Sequence, residues 1–291
     1  MKILLLGSTG LLGSTLSPVL VSRDNEISTH GRSRDAQFQA DLSSSKQAID
    51  LLGKIRPDVI INMIGLTDVD LCEAQPSQAY LLNVRTVENI ANWIRQESES
   101  CHLIHISTDQ VYDGSNNLHT EECVTLTNYY AFSKYTGELA AASVPSTILR
   151  TNFFGRSHCA RRVSLSDWLF RALSNDDPIE VFDDVLFSPL AMSTLSEMIE
   201  LSMRNRPVGV FNLGSHQGLS KADFAFAFAD ELGLSVRAMK RTTSNQVTFL
   251  KTYRPKDMRM NSAKFEEALG VKLPNLRDEI RRVANEYRDI A

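Results

Sequence analysis

The chain has 291 residues, of which 43% are hydrophobic and 23% are charged, and its formal net charge is −4 at pH 7. This composition is typical of a soluble globular protein of one or two domains, and the negative charge argues against a nucleic-acid partner. No apolar stretch approaches the roughly 20 residues that a membrane span needs. The cysteines lack metal-type spacing, which favours free thiols in a reducing cytoplasm; they are Cys72, Cys101, Cys123 and Cys159.

The N-terminal segment predicts a strand, a glycine-rich turn and a helix. Residues 3–6 form a continuous apolar run, typical of a strand that is buried on both faces of a parallel sheet. Gly7, Gly10 and Gly13 follow in a GxxGxxG spacing that permits a tight turn, close approach of a pyrophosphate and packing of the helix on the strand. A glycine-rich turn without a ligand is the alternative. The cofactor contacts expected here are Gly7, Thr9, Gly10, Leu11, Leu12 and Gly13.

The end of the second predicted strand, residues 26–29, bears on the choice of cofactor. An NAD site usually has an acidic residue near this point, where it binds the ribose 2′-hydroxyl. Here Arg32 and Arg34 follow the strand, and a guanidinium group matches a 2′-phosphate. We therefore predict that NADPH is preferred. The alternatives are a role for the nearby Asp35 and arginines that only meet solvent.

Four further residues are candidates for the cofactor site. Asp41, next to Leu42, precedes a predicted helix, and we expect it either to cap that helix or to reach the adenine edge. Residues 57–62 predict another buried strand, and Ile64 and Gly65 follow at its carboxyl end. Open parallel sheets bind ligands at that edge.

A strand predicted at residues 102–106 leads into Thr108. A hydroxyl group at the carboxyl end of a central strand lies in the ligand crevice, where it can hydrogen-bond a substrate carbonyl. The loop at 113–128 is long and polar, as expected of a segment that lines a site. Upstream, residues 76–94 predict one long helix, with Asn83 as a structural hydrogen-bonding residue on its inner face.

Tyr130 and Lys134 stand four residues apart on the next predicted helix, so both side chains project from one face. A cation near a phenol favours the phenolate and lowers a pKa that is ordinarily about 10. Such a tyrosine can exchange a proton with a substrate oxygen near neutral pH. A solvated pair on a surface helix is the alternative.

Taken in this order, the motifs resemble the extended short-chain dehydrogenase/reductase family, and within it the dTDP-4-dehydrorhamnose reductase branch. The resemblance covers nearly the whole chain and includes the segments 57–62, 67–70, 107–112, 130–134, 149–152, 212–214 and 254–255. It implies NADPH-dependent reduction of the C4 ketone of a nucleotide-linked 4-keto-6-deoxy sugar, for surface polysaccharide biosynthesis. The cysteine pattern predicts a cytoplasmic location, and a homodimer is one of the assemblies that stay open.

The resemblance assigns roles to particular residues. It implies that Thr108 and Tyr130 hold the sugar C4 oxygen, and that Lys134 binds the nicotinamide ribose and tunes Tyr130. Related sugar-nucleotide 4,6-dehydratases carry Glu where this chain has Gln110, and an amide cannot act as a base, so dehydration is disfavoured. Asp109 is expected to contact the substrate or, alternatively, to cap its loop.

The second half of the chain supplies further substrate candidates. Asn152 and Phe153 follow a strand predicted at 147–151, and Phe153 or Phe154 is expected to stack on the sugar or to lie in the core. Arg254 faces the nucleotide in relatives. Arginines at positions 156, 161 and 162 either bind a nucleotide diphosphate or form a solvated basic face. The substrate contacts expected overall are Thr108, Asp109, Asn152, Phe153 and Arg254.

The predicted fold class is α/β, a Rossmann-like doubly wound parallel sheet with a smaller, discontinuous C-terminal substrate lobe. The NADP-binding domain is expected at 1–155 and 187–214, and the substrate lobe at 156–186 and 215–291. No match was found to the carboxylates that hold a metal in relatives, so no metal is expected. Two other functions remain open: a nucleotide-sugar 4-epimerase or epimerase-reductase with the same Thr, Tyr and Lys, and a non-catalytic NADP(H)-binding regulatory subunit.

Overall fold

The computed structural model describes residues 1–21, 25–32, 35–114, 117–160 and 162–288. The strands, in chain order, are β1 (Lys2–Leu6), β2 (Glu26–His30), β3 (Val59–Asn62), β4 (His102–Thr108), β5 (Ser146–Thr151), β6 (Phe153–Phe154), β7 (Ile179–Phe182), β8 (Leu186–Phe187), β9 (Leu190–Ala191), β10 (Gly209–Leu213), β11 (Leu219–Ser220) and β12 (Met239–Thr242). The helices are α1 (Leu11–Val21), α2 (Ser45–Ile55), α3 (Val69–Ala74), α4 (Pro76–Tyr80), α5 (Thr86–Glu97), α6 (Tyr129–Ala141), α7 (Leu165–Ser174), α8 (Met192–Asn205), α9 (Lys221–Leu232), α10 (Ala263–Leu269) and α11 (Leu276–Arg288).

The central element is a six-stranded sheet in the order β2–β1–β3–β4–β5–β10. All of its strand pairs are parallel. Every residue of β3, β4 and β5 is buried, as expected when helices cover both faces of a parallel sheet. The strand order reverses between β1 and β3, which opens a ligand crevice at the carboxyl ends of these strands. The predicted Rossmann-like α/β fold is confirmed.

Two hydrophobic cores hold the helices against this sheet. One joins the sheet to α1, α8 and α10, and the other joins it to α2, α5 and the end of α6. Phe265 of α10 is fully buried in the first of these cores. This helix therefore packs on the sheet, although its residues fall in a segment expected in the substrate lobe.

A third core gathers α7, α9 and α11 with short strands, and we call this part of the fold the smaller lobe. Helix α9 begins after Ser220, whose side chain accepts a hydrogen bond from the Asp223 amide, and it ends at Gly233, which has φ +65°. Both caps were predicted from the sequence. Phe224, Phe226 and Phe228 alternate as in a strand, but the capping residues correctly predicted a helix. The proposed lobe boundaries stay a prediction.

The predicted helix at 76–94 is interrupted. A π-helical turn, Leu81–Arg85, separates α4 from α5, and the helical segment continues to Glu97. Asn83 lies in this turn: its Oδ1 accepts from the Leu66 amide at 2.7 Å and its Nδ2 donates to Ser133 Oγ at 2.8 Å. The π turn thus places the buried Asn83 amide where it joins its own helical segment to the loop at Leu66 and to Ser133 of α6. The helical periodicity did not predict this turn.

Across the described ranges, no helix combines the length and the apolar character that crossing a membrane would require.

Candidate active site

Two adjoining cavities form one groove along the carboxyl end of the sheet. The first has a volume of about 560 Å³ and lies beyond β1 and β2. The second has a volume of about 400 Å³ and lies beyond β4 and β5. Both are lined by the glycine-rich turn and by the residues after β3, so the groove is continuous across the point where the strand order reverses. The residues common to both are Gly7, Gly10, Met63, Ile64, Gly65 and Arg162.

The glycine-rich turn has the geometry that was predicted for it. Gly7 adopts φ +83°, which favours glycine, and its amide donates to the His30 carbonyl oxygen at 3.0 Å. A Cβ atom on Gly13 would lie 2.4 Å from the Gly7 carbonyl oxygen, so only glycine lets α1 pack this closely. Gly10 and the first residues of α1 line the groove. The N-terminus of α1 therefore faces the groove, and a helix N-terminus favours a phosphate group.

The first cavity contains most residues expected at the adenosine end. Arg32 is exposed and lines this cavity, and Asp35, Thr9 and Leu42 line it too. Arg34 lies outside the described residues.

Asp41 also lines the first cavity, but it does not cap α2. Ser44 is the N-cap residue, and its side chain accepts from the Gln47 amide. The Asp41 carboxylate accepts instead from the Ser43 amide at 3.0 Å and the Ser43 hydroxyl at 2.7 Å. The prediction that Asp41 caps the helix was wrong, because Ser44 stands nearer the first turn. A contact with the adenine edge stays a prediction.

Gly65 leaves space between the two cavities. A Cβ atom at this position would lie 3.1 Å from Asn83 Oδ1 and 3.9 Å from Lys134 Nζ. The preceding Ile64 amide donates to Asn62 Oδ1 at 3.1 Å, which orients the chain after β3. A glycine at this position leaves the Lys134 ammonium accessible from the groove. A larger residue would occupy that space.

Tyr130 and Lys134 lie on α6, as predicted, and both line the second cavity. The helix begins at Asn128, whose side chain accepts from the Ala131 amide at 2.8 Å. Tyr130 is 6% exposed and Lys134 is 4% exposed, so they are not the solvated pair of the alternative interpretation. Lys134 Nζ donates to the Ile106 carbonyl oxygen of β4 at 2.7 Å. Thr108 reaches the same cavity from the end of β4.

The protonation states of this pair differ from the prediction. Burial raises the pKa of the Tyr130 phenol well above its ordinary range, and a hydrogen bond with Thr108 opposes this only in part. Burial also lowers the pKa of Lys134 to about 8, with the Glu138 charge opposing the shift. The spacing predicted a lowered tyrosine pKa; it is raised because desolvation exceeds any effect of the nearby cation. The phenol is therefore neutral near pH 7, the form in which a tyrosine can donate a proton.

A buried ion pair holds α6 against β4 and β5. Arg150 of β5 donates to the Glu138 carboxylate from Nη2 at 2.7 Å and from Nε at 3.1 Å. Their side chains are 3% and 2% exposed. Ser107 Oγ donates to the same carboxylate, and Arg150 also donates to the Tyr112 hydroxyl at 2.7 Å. Because Glu138 is one helical turn beyond Lys134, this network fixes α6 relative to Thr108.

Asp109 is a buried carboxyl group beside the candidate catalytic residues. Its side chain accepts from Asn152 Nδ2 at 2.7 Å and from Thr108 Oγ1 at 3.3 Å. Burial raises the pKa of Asp109 to about 6, while the Asn152 hydrogen bond and the positive charge of Lys221 oppose the shift. Burial lowers the pKa of Lys221, which faces Asp109 from the N-terminus of α9. The carboxyl group thus changes charge in a pH range close to neutral.

We expect Asp109→Asn to stabilise the protein at about pH 7.5 by about 1–3 kcal/mol, and to have little effect at about pH 4. The pKa of Asp109 is higher in the folded state than in an unfolded chain. At pH values above the folded-state pKa, the ionised carboxylate therefore lowers the free energy of unfolding. This loss of stability disappears as pH falls below the unfolded value. Urea unfolding of both proteins at the two pH values measures this difference. An equal effect at both pH values would contradict the raised pKa.

The other substrate candidates divide into two groups. Asn152, Phe153 and Gln110 line the second cavity. Phe154 is instead fully buried in the core of the smaller lobe, with its ring centroid 4.8 Å from that of Phe224. Arg254 lies outside both linings and pairs with Asp70 at 3.0 Å. Phe153, not Phe154, is therefore the aromatic residue at the site.

Several residues of the groove had no role predicted for them. Cys159 lines the first cavity although it belongs to none of the recognised motifs. Lys221 lines neither cavity, but its charge acts on Asp109 from the N-terminus of α9. Thr151 lies beside Thr108 because β4 and β5 pair in that register. Within the ranges that the structure describes, no group of three His, Cys, Asp or Glu side chains is arranged to hold a metal ion.

Known proteins resemble this chain over nearly its whole length. dTDP-4-dehydrorhamnose reductase from Shigella flexneri is 28% identical over 98% of both chains. The structure of dTDP-4-dehydrorhamnose reductase from Bacillus anthracis in complex with NADP superimposes with a TM-score of 0.87, at 22% identity over 98% of this chain and 99% of that one. dTDP-glucose 4,6-dehydratase from the same organism, in complex with NAD, shares the fold at a TM-score of 0.83 and 15% identity, over 100% of this chain and 97% of that one.

The family model of the RmlD substrate binding domain matches residues 1–289. This match covers both the groove and the smaller lobe. The chain therefore belongs to the RmlD substrate binding domain family.

Proposed function

We propose that this protein is an NADPH-dependent reductase of the C4 ketone of a nucleotide-linked 4-keto-6-deoxy sugar, acting in surface polysaccharide biosynthesis. One observation carries the proposal. A buried neutral phenol, Tyr130, lies with Thr108 and Lys134 in the second cavity, which joins the first cavity at the glycine-rich turn. The family match and the names of its relatives support the same reaction.

The residues of the groove fit a nicotinamide dinucleotide. The cradle at Gly7, Gly10 and Gly13 suits the pyrophosphate, and Arg32 suits a ribose 2′-phosphate because no carboxylate ends β2. Lys134 would hold the nicotinamide ribose, since its ammonium lines the second cavity and keeps donors beyond its bond to Ile106. When bound, the cofactor supplies the hydride.

The chain itself supplies the proton and stabilises the developing charge. As negative charge grows on the ketone oxygen, Tyr130 donates its phenolic proton to that oxygen, and the Thr108 hydroxyl donates a hydrogen bond. Lys134 stabilises the phenolate that remains, because its positive charge is held on the same helix face. The raised pKa of Tyr130 keeps the donor protonated before the reaction begins.

Gln110 separates reduction from dehydration. It lines the second cavity next to Asp109, at the position where related dehydratases have Glu. A carboxamide can donate and accept hydrogen bonds but cannot remove a proton from sugar C5. The common fold therefore does not imply a common reaction, and the site favours transfer at the C4 oxygen.

The proposal predicts that the purified protein oxidises one NADPH for each 4-keto-6-deoxy sugar nucleotide that it consumes. Absorbance of the reduced nicotinamide and chromatography of the sugar nucleotide measure both quantities in one reaction. Interconversion of sugar epimers without net loss of NADPH would identify an epimerase. Tight NADPH binding without turnover of any keto sugar would identify a regulatory subunit. Either result would overturn the proposed reaction.

We expect Arg32→Ala to weaken NADPH binding by about tenfold and to leave NADH binding unchanged, because only NADPH carries the 2′-phosphate. Fluorescence titration of both cofactors against the variant and the parent protein tests this. NADH provides the internal control for damage to the rest of the site. Equal losses for the two cofactors would show that Arg32 does not read the 2′-phosphate.

The remaining expectations are part of the same proposal. Asp109, Asn152 and Phe153 are proposed to contact the sugar, because they line the cavity around Tyr130. Arg254 is proposed to contact the nucleotide after its ion pair with Asp70 breaks. The homodimer and the cytoplasmic location stay predictions.

A further inference from the structure

A segment between β6 and α7 borders the groove beside the glycine-rich turn. We call this segment the strap and define it as residues 156–160 together with Arg162 and Val163. Cys159, Ala160 and Arg162 line the first cavity, and Arg162 and Val163 line the second. The strap therefore borders the groove at the point where its two halves meet.

The strap is fastened at both of its sides. On the side of the smaller lobe, the Arg156 amide donates to Glu286 Oε2 at 2.9 Å. On the side of the sheet, the Cys159 thiol donates to the Thr9 carbonyl oxygen at 3.2 Å. These contacts set the position of the strap against the turn between β1 and α1.

Within the strap, hydrogen bonds form a compact loop that presents Arg162. The Ser157 hydroxyl donates to the Arg162 carbonyl oxygen at 2.7 Å, and the Arg162 amide donates to the Cys159 carbonyl oxygen at 3.3 Å. The backbone of Arg162 is thus held on both sides. Its side chain is exposed, and among the residues that the structure describes its guanidinium has no hydrogen-bond or ion-pair partner.

We propose that Arg162 binds the pyrophosphate of NADP(H) from the opposite side to the glycine-rich turn. A guanidinium group matches the oxygens of a diphosphate in a two-pronged geometry. Arg162 shares both cavities with Gly7 and Gly10, next to the N-terminus of α1, where a pyrophosphate is favoured. The residues proposed to contact the sugar, including Asn152 and Phe153, line only the second cavity.

A nucleotide-sugar substrate also carries a diphosphate, so the experiment has to separate the two sources. This inference rests on the proposed use of NADP(H), and binding measurements test it without reference to turnover. The ligands are NADPH, NADH, 2′-AMP and dTDP. NADPH and NADH share the pyrophosphate, 2′-AMP carries the 2′-phosphate without it, and dTDP presents the diphosphate of the substrate class.

We expect Arg162→Ala to weaken NADPH and NADH by the same factor, about tenfold, and to leave 2′-AMP and dTDP unchanged. Arg162→Lys keeps the positive charge but not the paired donors of the guanidinium, so we expect it to lose less affinity for both cofactors than Arg162→Ala. The matched control is Arg156→Ala, an exposed arginine of the same strap that lines neither cavity. Calorimetric titration of the full chain measures all four ligands, and circular dichroism checks that each variant is folded.

Three results would overturn the inference. Unchanged affinity for NADPH and NADH would remove Arg162 from the cofactor site. A loss confined to dTDP would assign it to the diphosphate of the substrate. An equal loss for 2′-AMP would indicate a general disturbance of the adenosine end. If the parent protein binds neither NADPH nor NADH, the proposed function itself fails, which is a different outcome.

Discussion

Tyr130→Phe is expected to lower kcat by at least about a hundredfold and to change the NADPH dissociation constant by less than about twofold. The substitution removes the phenolic hydroxyl, which is the proton donor of the proposed reaction. It keeps the ring, which packs against Val69, Cys72 and Ala79, so the helix should stay in place. Steady-state rates with a 4-keto-6-deoxy sugar nucleotide and fluorescence titration with NADPH measure the two effects.

Tyr129→Phe provides the matched control, because Tyr129 is the adjacent residue on α6 and does not line either cavity. It removes the same atom from the same helix, and we expect its kcat to stay close to that of the parent protein. A Tyr130→Phe enzyme with unchanged kcat would show that another group donates the proton. A parallel loss of NADPH affinity would instead indicate that the phenol mainly holds the cofactor site together.

Glu138→Ala is expected to reduce the free energy of unfolding by about 3–5 kcal/mol, because it leaves the Arg150 guanidinium buried without its counter-charge. The pair is nearly inaccessible, and the same carboxylate also accepts from Ser107. Equilibrium unfolding in urea measures the loss. Since Glu138 follows Lys134 by one turn, the variant also tests how firmly the catalytic helix is anchored.

Asp50→Ala is the control for this prediction. It breaks the pair between Lys46 and Asp50, which has an N–O distance of 2.9 Å but leaves the two side chains 86% and 62% exposed. Exposed pairs of this kind contribute about 0–1 kcal/mol. Similar losses for Glu138→Ala and Asp50→Ala would contradict the view that burial makes the Glu138–Arg150 pair essential.

Local patterns in the sequence predicted much of this fold because their causes are local. The spacing of Gly7, Gly10 and Gly13 reflects a turn within one segment, and the caps at Ser220 and Gly233 are set by residues of the same helix. The order of strand and helix patterns similarly predicted a parallel sheet. Each of these features depends on backbone geometry that neighbouring residues determine.

Features that depend on distant contacts were predicted less well. The spacing of Tyr130 and Lys134 indicated a shared helix face, but not the burial that raises the tyrosine pKa. The π turn at Leu81–Arg85 depends on contacts of Asn83 with other elements. Arg162 lines the same cavities as the glycine-rich turn only because the segment after β6 returns to the groove. Sequence periodicity carries no information about such contacts.

The most direct test follows the hydride from the cofactor to the sugar. The parent protein is incubated with a 4-keto-6-deoxy sugar nucleotide and NADPH that carries deuterium at C4 of its nicotinamide, and the product sugar is examined by mass spectrometry and NMR. We predict deuterium at C4 of the sugar, in an amount equal to the NADP⁺ formed. A product without deuterium at C4, or conversion of the sugar without loss of NADPH, would contradict reduction at the site built around Tyr130.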